Sequence, residues 1–245
     1  MAMNKLDGRV AMVTGSSRGI GRAVAVAFAH EGAKVALNGV HDRALLKEVK
    51  TEIAAFGGEA LALLADVAKR SEVDRMVQRI IKKWGRIDVL VNNAGILQPA
   101  RLEKLSERQW DRTLAVHLKG AFNCTQAVLG IMKQQKRGKI INVAAPSALR
   151  GSFGVADYAA AKGGIIALTR NAANELKDHN IQVNCIVPVA DTRMTDSLSR
   201  FRREQLGEFH RSRRFVAPEA IAPAFVFFAS ADSDSVSGQL LEVGR

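Results

Sequence analysis

Cysteine is scarce: only Cys124 and Cys185 occur in 245 residues. Two thiols cannot build a disulfide framework or a four-ligand zinc site. They predict small core residues in a protein of a reducing, cytoplasmic compartment, with no metal centre. No apolar run reaches the ~18–20 residues of a membrane span, and Met1 to Val10 has no apolar signal core. Neither export nor a membrane partner is therefore predicted. Internal repeats are absent, as are linkers rich in Pro, Gly or Ser, so one domain is expected over 1–245. A content of 47% hydrophobic and 24% charged residues excludes disorder and supplies a full core.

Acidic residues are outnumbered, 24 against 36 Lys+Arg, for a formal charge of +12. Two segments concentrate the excess. One holds Lys133, Lys136, Arg137 and Lys139 and reads as solvated surface. The other runs from Arg193 to Arg214, where Met194, Leu198, Phe201, Leu206, Phe209 and Phe215 interleave with Arg200, Arg202, Arg203, Arg211 and Arg213. That mixture reads as amphipathic helical turns lying on another surface. No DNA- or RNA-binding motif accompanies the charge, so nucleic acid is not expected as a partner.

What remains is regular. Short apolar runs at Val10–Thr14, Lys34–Asn38, Ala60–Leu64, Val89–Asn92, Lys139–Val143, Gln182–Val187 and Leu240–Val243 predict seven strands. Amphipathic stretches separate them. These are Gly19–Glu31, Asp42–Phe56, Ser71–Trp84 with Ser71 as cap, roughly Gln109–Gln135, Asp157–His179, and Pro218–Ala229 with proline in its first turn. Continuous apolar strands alternating with helices predict an α/β fold, a doubly wound, seven-stranded parallel sheet. Ligands of such sheets sit at the carboxyl ends of the strands.

After the first strand stands Thr14-Gly15-Ser16-Ser17-Arg18-Gly19-Ile20-Gly21. Glycines there permit a tight turn and close backbone approach, and the next helix directs its free N–H groups at a phosphate. From this turn the chain resembles the short-chain dehydrogenase/reductase family. The match continues through Asp66-Val67, Asn92-Asn93-Ala94-Gly95, Tyr158-Ala159-Ala160-Ala161-Lys162 and Asn184-Cys185-Ile186-Val187-Pro188, over essentially the whole chain. The resemblance implies a Rossmann-type fold that binds NAD(H) or NADP(H) and assembles as a homotetramer. It implies dinucleotide contacts from Gly15, Ser17, Arg18, Gly19, Ile20, Gly21, Asn38, Asn93, Ala94, Gly95 and Pro188, with Asp66 and Val67 at the adenine and the Asn92–Gly95 turn along its ribose.

The second strand ends at Asn38-Gly39 without the carboxylate that selects NAD(H). Arg18, and beyond the strand His41 or Arg43, offer cations for a 2′-phosphate. NADP(H) is therefore expected over NAD(H), which stays open.

Tyr158, the only tyrosine, and Lys162 are spaced i, i+4 and share a helix face. An ammonium beside a phenol lowers its pKa, making Tyr158 an acid–base group and Lys162 its activator and a holder of the nicotinamide ribose. Two positions depart from the family pattern. Ala145 stands where a serine bonds the substrate oxygen, and His117 where an asparagine continues a proton relay. Ser147 is a candidate replacement donor, with Ser152 more distant, and His117 a candidate relay. The segment Pro188–Thr195, with His117-Leu118-Lys119-Gly120, is similar to family members that act on 3-hydroxyacyl or 3-oxoacyl thioesters. A substrate lid is expected at about 190–215, its arginines meeting CoA phosphates or an acidic carrier protein. Ala145 motivates a second reading, a catalytically weak dinucleotide sensor or partner subunit.

Overall fold

The computed structural model describes residues 4–206 and 215–244. Strand and helix alternate from the start. β1 (Val10–Val13) leads to α1 (Gly19–His30), then β2 (Lys34–Gly39), α2 (Arg43–Ala55), β3 (Ala60–Leu64) and α3 (Arg70–Trp84). β4 (Val89–Asn92), α4 (Glu107–Leu114), α5 (Gly120–Gln135) and β5 (Gly138–Val143) follow. The last third is α6 (Ser147–Arg150), α7 (Ala156–Leu176), β6 (Ile181–Pro188), α8 (Arg193–Leu206), α9 (Pro218–Ala229) and β7 (Leu240–Val243).

The strands form one parallel sheet in the order β3-β2-β1-β4-β5-β6-β7. β1 is an interior strand, with Val13 opposite Leu37 on one side and Val91 on the other. Its strands are apolar on both faces because helices cover both. Phe28, Val35, Ile53 and Phe225 are buried on one side, Met12, Ile80, Leu90 and Val128 on the other. The strand order reverses at the junction of β1 and β4, which opens a crevice at their carboxyl ends. Among the described residues, no helix is long and apolar enough to cross a membrane. Cys124 and Cys185 are buried free thiols, and burial pushes the Cys124 thiol up to about 12.

Three local expectations change. Ser71 lies inside α3, whose cap position is Lys69 with no side-chain bond. The single helix expected over Gln109–Gln135 is two, joined by a π-helical turn at Ala115–Lys119, and Ser106 caps the first through Gln109 N–H at 3.3 Å. Lys139 is not solvated. It is buried within β5, its Nζ 2.7 Å from Asp234 Oδ1 and 3.2 Å from Ser233 Oγ.

Candidate active site

The crevice is one cavity of about 1040 Å³. All but one of the residues assigned above to the dinucleotide line it, from Gly15 and Asn38 through Asp66 to Pro188, together with His117, Ala145, Ser147, Tyr158 and Lys162. Asn92 does not. It is buried in the sheet, its Nδ2 donating to Asn142 Oδ1 at 2.9 Å and Thr125 Oγ1 at 3.1 Å.

The glycine turn is built for close approach. Gly15 has φ +65°, and a Cβ on Gly21 would lie 2.5 Å from Asn93 Nδ2. Asn93 ties the next loop to this turn by donating to Thr14 O at 2.9 Å and Gly15 O at 3.1 Å. Thr14 Oγ1 accepts from Asn93 N and Ala94 N, both at 3.0 Å. The start of α1 carries no side-chain cap and no acid in its first turn. Its first N–H groups thus remain available to a pyrophosphate, which the positive end of the helix favours. These features fit a dinucleotide.

Asn38 is buried and committed to structure. Its Nδ2 donates to Ala65 O at 3.0 Å and its Oδ1 accepts from Gly15 N at 3.3 Å. A carboxylate does stand near, one that inspection of the strand end alone had missed. Asp42 Oδ2 lies 2.5 Å from Arg18 Nη2 and accepts from Ser17 Oγ at 3.3 Å. Arg18 is therefore paired rather than free. Arg112 was also missed; its Nη1 lies 3.0 Å from Asp66 Oδ2 at the cavity wall.

α7 presents Tyr158 and Lys162 to the cavity from one face. Its start is fixed by buried Asp157, whose Oδ1 accepts from Tyr158 N at 2.8 Å and whose Oδ2 accepts from Thr113 Oγ1 at 2.7 Å. Lys162 Nζ donates to Val143 O at 2.5 Å and stands 5.6 Å from the Tyr158 ring centre. Burial dominates both groups. It raises the Tyr158 phenol above its ordinary value and lowers the Lys162 ammonium to about 8. Burial thus outweighs the lowering of Tyr158 expected from its neighbour.

His117 packs edge-on against Tyr158, ring centres 5.0 Å apart and planes at 90°. Its Nε2 is 2.7 Å from Ile96 O and 3.0 Å from Ile96 N. A proton on Nε2 suits the contact to Ile96 O and one on Nδ1 the contact from Ile96 N, while Nδ1 has no partner among the described residues. Burial, with Lys162 nearby, pulls the imidazole down to about 3, so the ring is neutral. Ala145 offers only a methyl group. Ser147, first residue of α6, lines the cavity with an Oγ that is buried and without a partner. Buried hydroxyls are normally bonded, so this one is available to a ligand.

α8 spans Arg193–Leu206, inside the expected lid, with Met194, Leu198 and Arg202 on the cavity. Arg200 and Arg203 face away into solvent. Phe209, Arg211 and Arg213 lie outside the described residues.

The sequence profile described as short chain dehydrogenase matches residues 9–203. The chain is 38% identical to a 3-oxoacyl-[acyl-carrier-protein] reductase of Thermotoga maritima, covering 98% of this chain and 97% of that one. It is 40% identical to the (2S)-[(R)-hydroxy(phenyl)methyl]succinyl-CoA dehydrogenase subunit of Thauera aromatica, covering 97% and 96%. The solved structure of levodione reductase superposes with a TM-score of 0.89 at 31% identity, covering 98% and 97%.

Proposed function

Because the chain belongs to the short-chain dehydrogenase family of oxidoreductases, we propose that it interconverts a carbonyl and a secondary alcohol on a 3-oxoacyl or 3-hydroxyacyl thioester. NADP(H) is its preferred dinucleotide in this reading. One observation carries the proposal: Ser147 Oγ, buried and unbonded, shares a cavity with Tyr158 and Lys162. The relatives named for acyl-carrier-protein and CoA substrates support the thioester class. A sensor without catalysis has no support among them.

A nicotinamide dinucleotide, when bound, supplies or accepts the hydride. The protein's own groups handle the oxygen. Tyr158, kept protonated by burial, gives its proton to the carbonyl oxygen in reduction and takes one back in oxidation. Ser147 donates a second hydrogen bond to that oxygen, replacing what Ala145 cannot offer. Lys162, anchored on Val143 O, holds the nicotinamide ribose. His117 Nδ1, neutral and open, joins a proton-relay hydrogen bond where the family uses asparagine.

For the dinucleotide, Arg18 would exchange Asp42 for a 2′-phosphate, a charge-assisted contact. Asp42 itself favours a second reading, in which its carboxylate takes ribose hydroxyls and NAD(H) binds as well. The family resemblance further supports a homotetramer, a CoA- or carrier-protein-linked substrate, a lid at about 190–215 and a cytoplasmic location.

The test is NADPH consumption with 3-oxoacyl thioesters and, as contrast, simple diketones. Turnover of the thioesters upholds the proposal. Tight NADPH binding with no turnover of either class returns the protein to a binding role.

A further inference from the structure

α8 carries Met194, Leu198 and Arg202 at i, i+4 and i+8, and all three line the cavity. Two apolar side chains therefore lead along one face to a guanidinium. The helix has a cofactor end and a far end. Thr192, just before it, lies 3.6 Å from the Cβ position of Gly19 in the phosphate turn. Arg202, near its other end, donates to Ser152 Oγ and, at 3.5 Å, to Phe153 O. Those two residues belong to the loop that leads into α7 and Tyr158. The neighbouring Phe201 locks this contact by stacking on Phe153, ring centres 6.0 Å apart, and by filling the space beside Gly154.

Arg202 differs from the other arginines of the cavity. Arg18 is paired with Asp42, Arg112 with Asp66, and Arg150 with Glu242, while Arg193 is exposed. Arg202 is half-buried, and among the described residues no carboxylate pairs with it. Its acceptors are neutral, and its Nε is shut off from solvent without a partner. Burial lowers its pKa, yet a guanidinium stays charged at any working pH. A desolvated, unpaired cation is unfavourable unless a ligand completes it.

Building on the thioester reading above, we propose that this site takes substrates whose acyl part carries a free carboxylate, and that Arg202 receives it. Ser147 and Tyr158 hold the reacting oxygen, Met194 and Leu198 pack the intervening carbons, and Arg202 closes the far end of the slot. CoA phosphates fit this position poorly. A pantetheine arm separates them from the thioester, whereas Arg202 stands on the loop that feeds the catalytic helix.

The experiment compares two unreactive thioesters of equal chain length, glutaryl-CoA and pentanoyl-CoA, binding to the NADP⁺-loaded protein. Both bear the same phosphates, so their difference isolates the acyl carboxylate. Glutaryl-CoA is expected to bind about tenfold tighter, the size of one charge-assisted hydrogen bond. The ratio should fall below about two in Arg202→Gln and stay partly intact in Arg202→Lys, which keeps the charge but loses the fork. Equal binding of the two thioesters, failure of both to bind, or a preference that survives Arg202→Gln overturns the proposal. An equal weakening of both ligands in Arg202→Gln also overturns it and assigns the guanidinium to CoA phosphates. Turnover of the 3-oxo counterparts tests the underlying reading separately. Binding preference without turnover removes the reductase and keeps the carboxylate site; turnover without preference does the reverse.

Discussion

Gly95 exists for His117: a Cβ on Gly95 would press into the imidazole, 3.0 Å from Nδ1 and 3.2 Å from Nε2. The ring occupies space that any side chain at 95 would claim, and Ile96 bonds it from the same loop. Gly95→Ala is therefore expected to destabilise the fold by about 1–3 kcal/mol through overpacking. Adding His117→Ala should recover much of the loss, giving strongly non-additive melting temperatures. Additive values would show that the two residues do not share that space.

The same histidine sets a pH dependence. Its folded pKa of about 3 lies below the ordinary 6.5, so the unfolded chain binds more protons between those values. Stability is then full above pH 6.5 and falls on acidification, by up to about 1.4 kcal/mol per pH unit. From pH 6.5 to about 4.5 the common carboxylates contribute little, which isolates His117. Denaturant midpoints across that window should slope in the wild type and flatten in His117→Asn. Equal slopes would mean that the ring is protonated in the fold.

Ser147→Ala should lower turnover about 10²–10³-fold if this hydroxyl supplies the missing donor to the substrate oxygen. Ala145→Ser should raise turnover in the wild-type background and restore it in the Ser147→Ala background. NADPH affinity, measured by fluorescence titration, should stay flat throughout. An unchanged rate in Ser147→Ala would remove that hydroxyl from the mechanism.

Asp42 and Arg18 predict opposite effects on cofactor choice. Asp42→Asn frees the guanidinium and should tighten NADPH relative to NADH, by about tenfold for one recovered charge-assisted contact. Arg18→Ala should narrow the gap between the two. If NADH already binds wild type as tightly as NADPH, Asp42 rather than Arg18 governs the ribose.

The sheet was legible in the sequence because each strand is an unbroken apolar run, and burial on both faces demands such runs. The cavity was legible because its residues follow strand ends, where a doubly wound sheet collects them. What escaped reading involved partners distant in sequence. Lys139 looked solvated because Asp234, its counter-ion, arrives only 95 residues later in the chain. Asp42 lies four residues past the strand end at which a ribose-binding acid is sought, and only the fold returns it to Arg18. Asp157 sat beside the tyrosine in plain view. Its task, bonding Tyr158 N–H and Thr113, needs α4 in place before it can be recognised.

The π-helical turn at Ala115–Lys119 admits one residue more than an α-helix would, and each residue of a helix adds about 100° of rotation. The helices on its two sides therefore obey two different phases. On one, Thr113 faces the catalytic helix, as does His117 within the turn; on the other, Gly120 and Asn123 abut Val67, whose carbonyl Asn123 Nδ2 meets at 2.9 Å. A one-residue deletion would restore a continuous α-helix and turn one of these sets away from its partners. Length in this stretch is thus a quantised trait, closed to single-codon insertions and deletions alike.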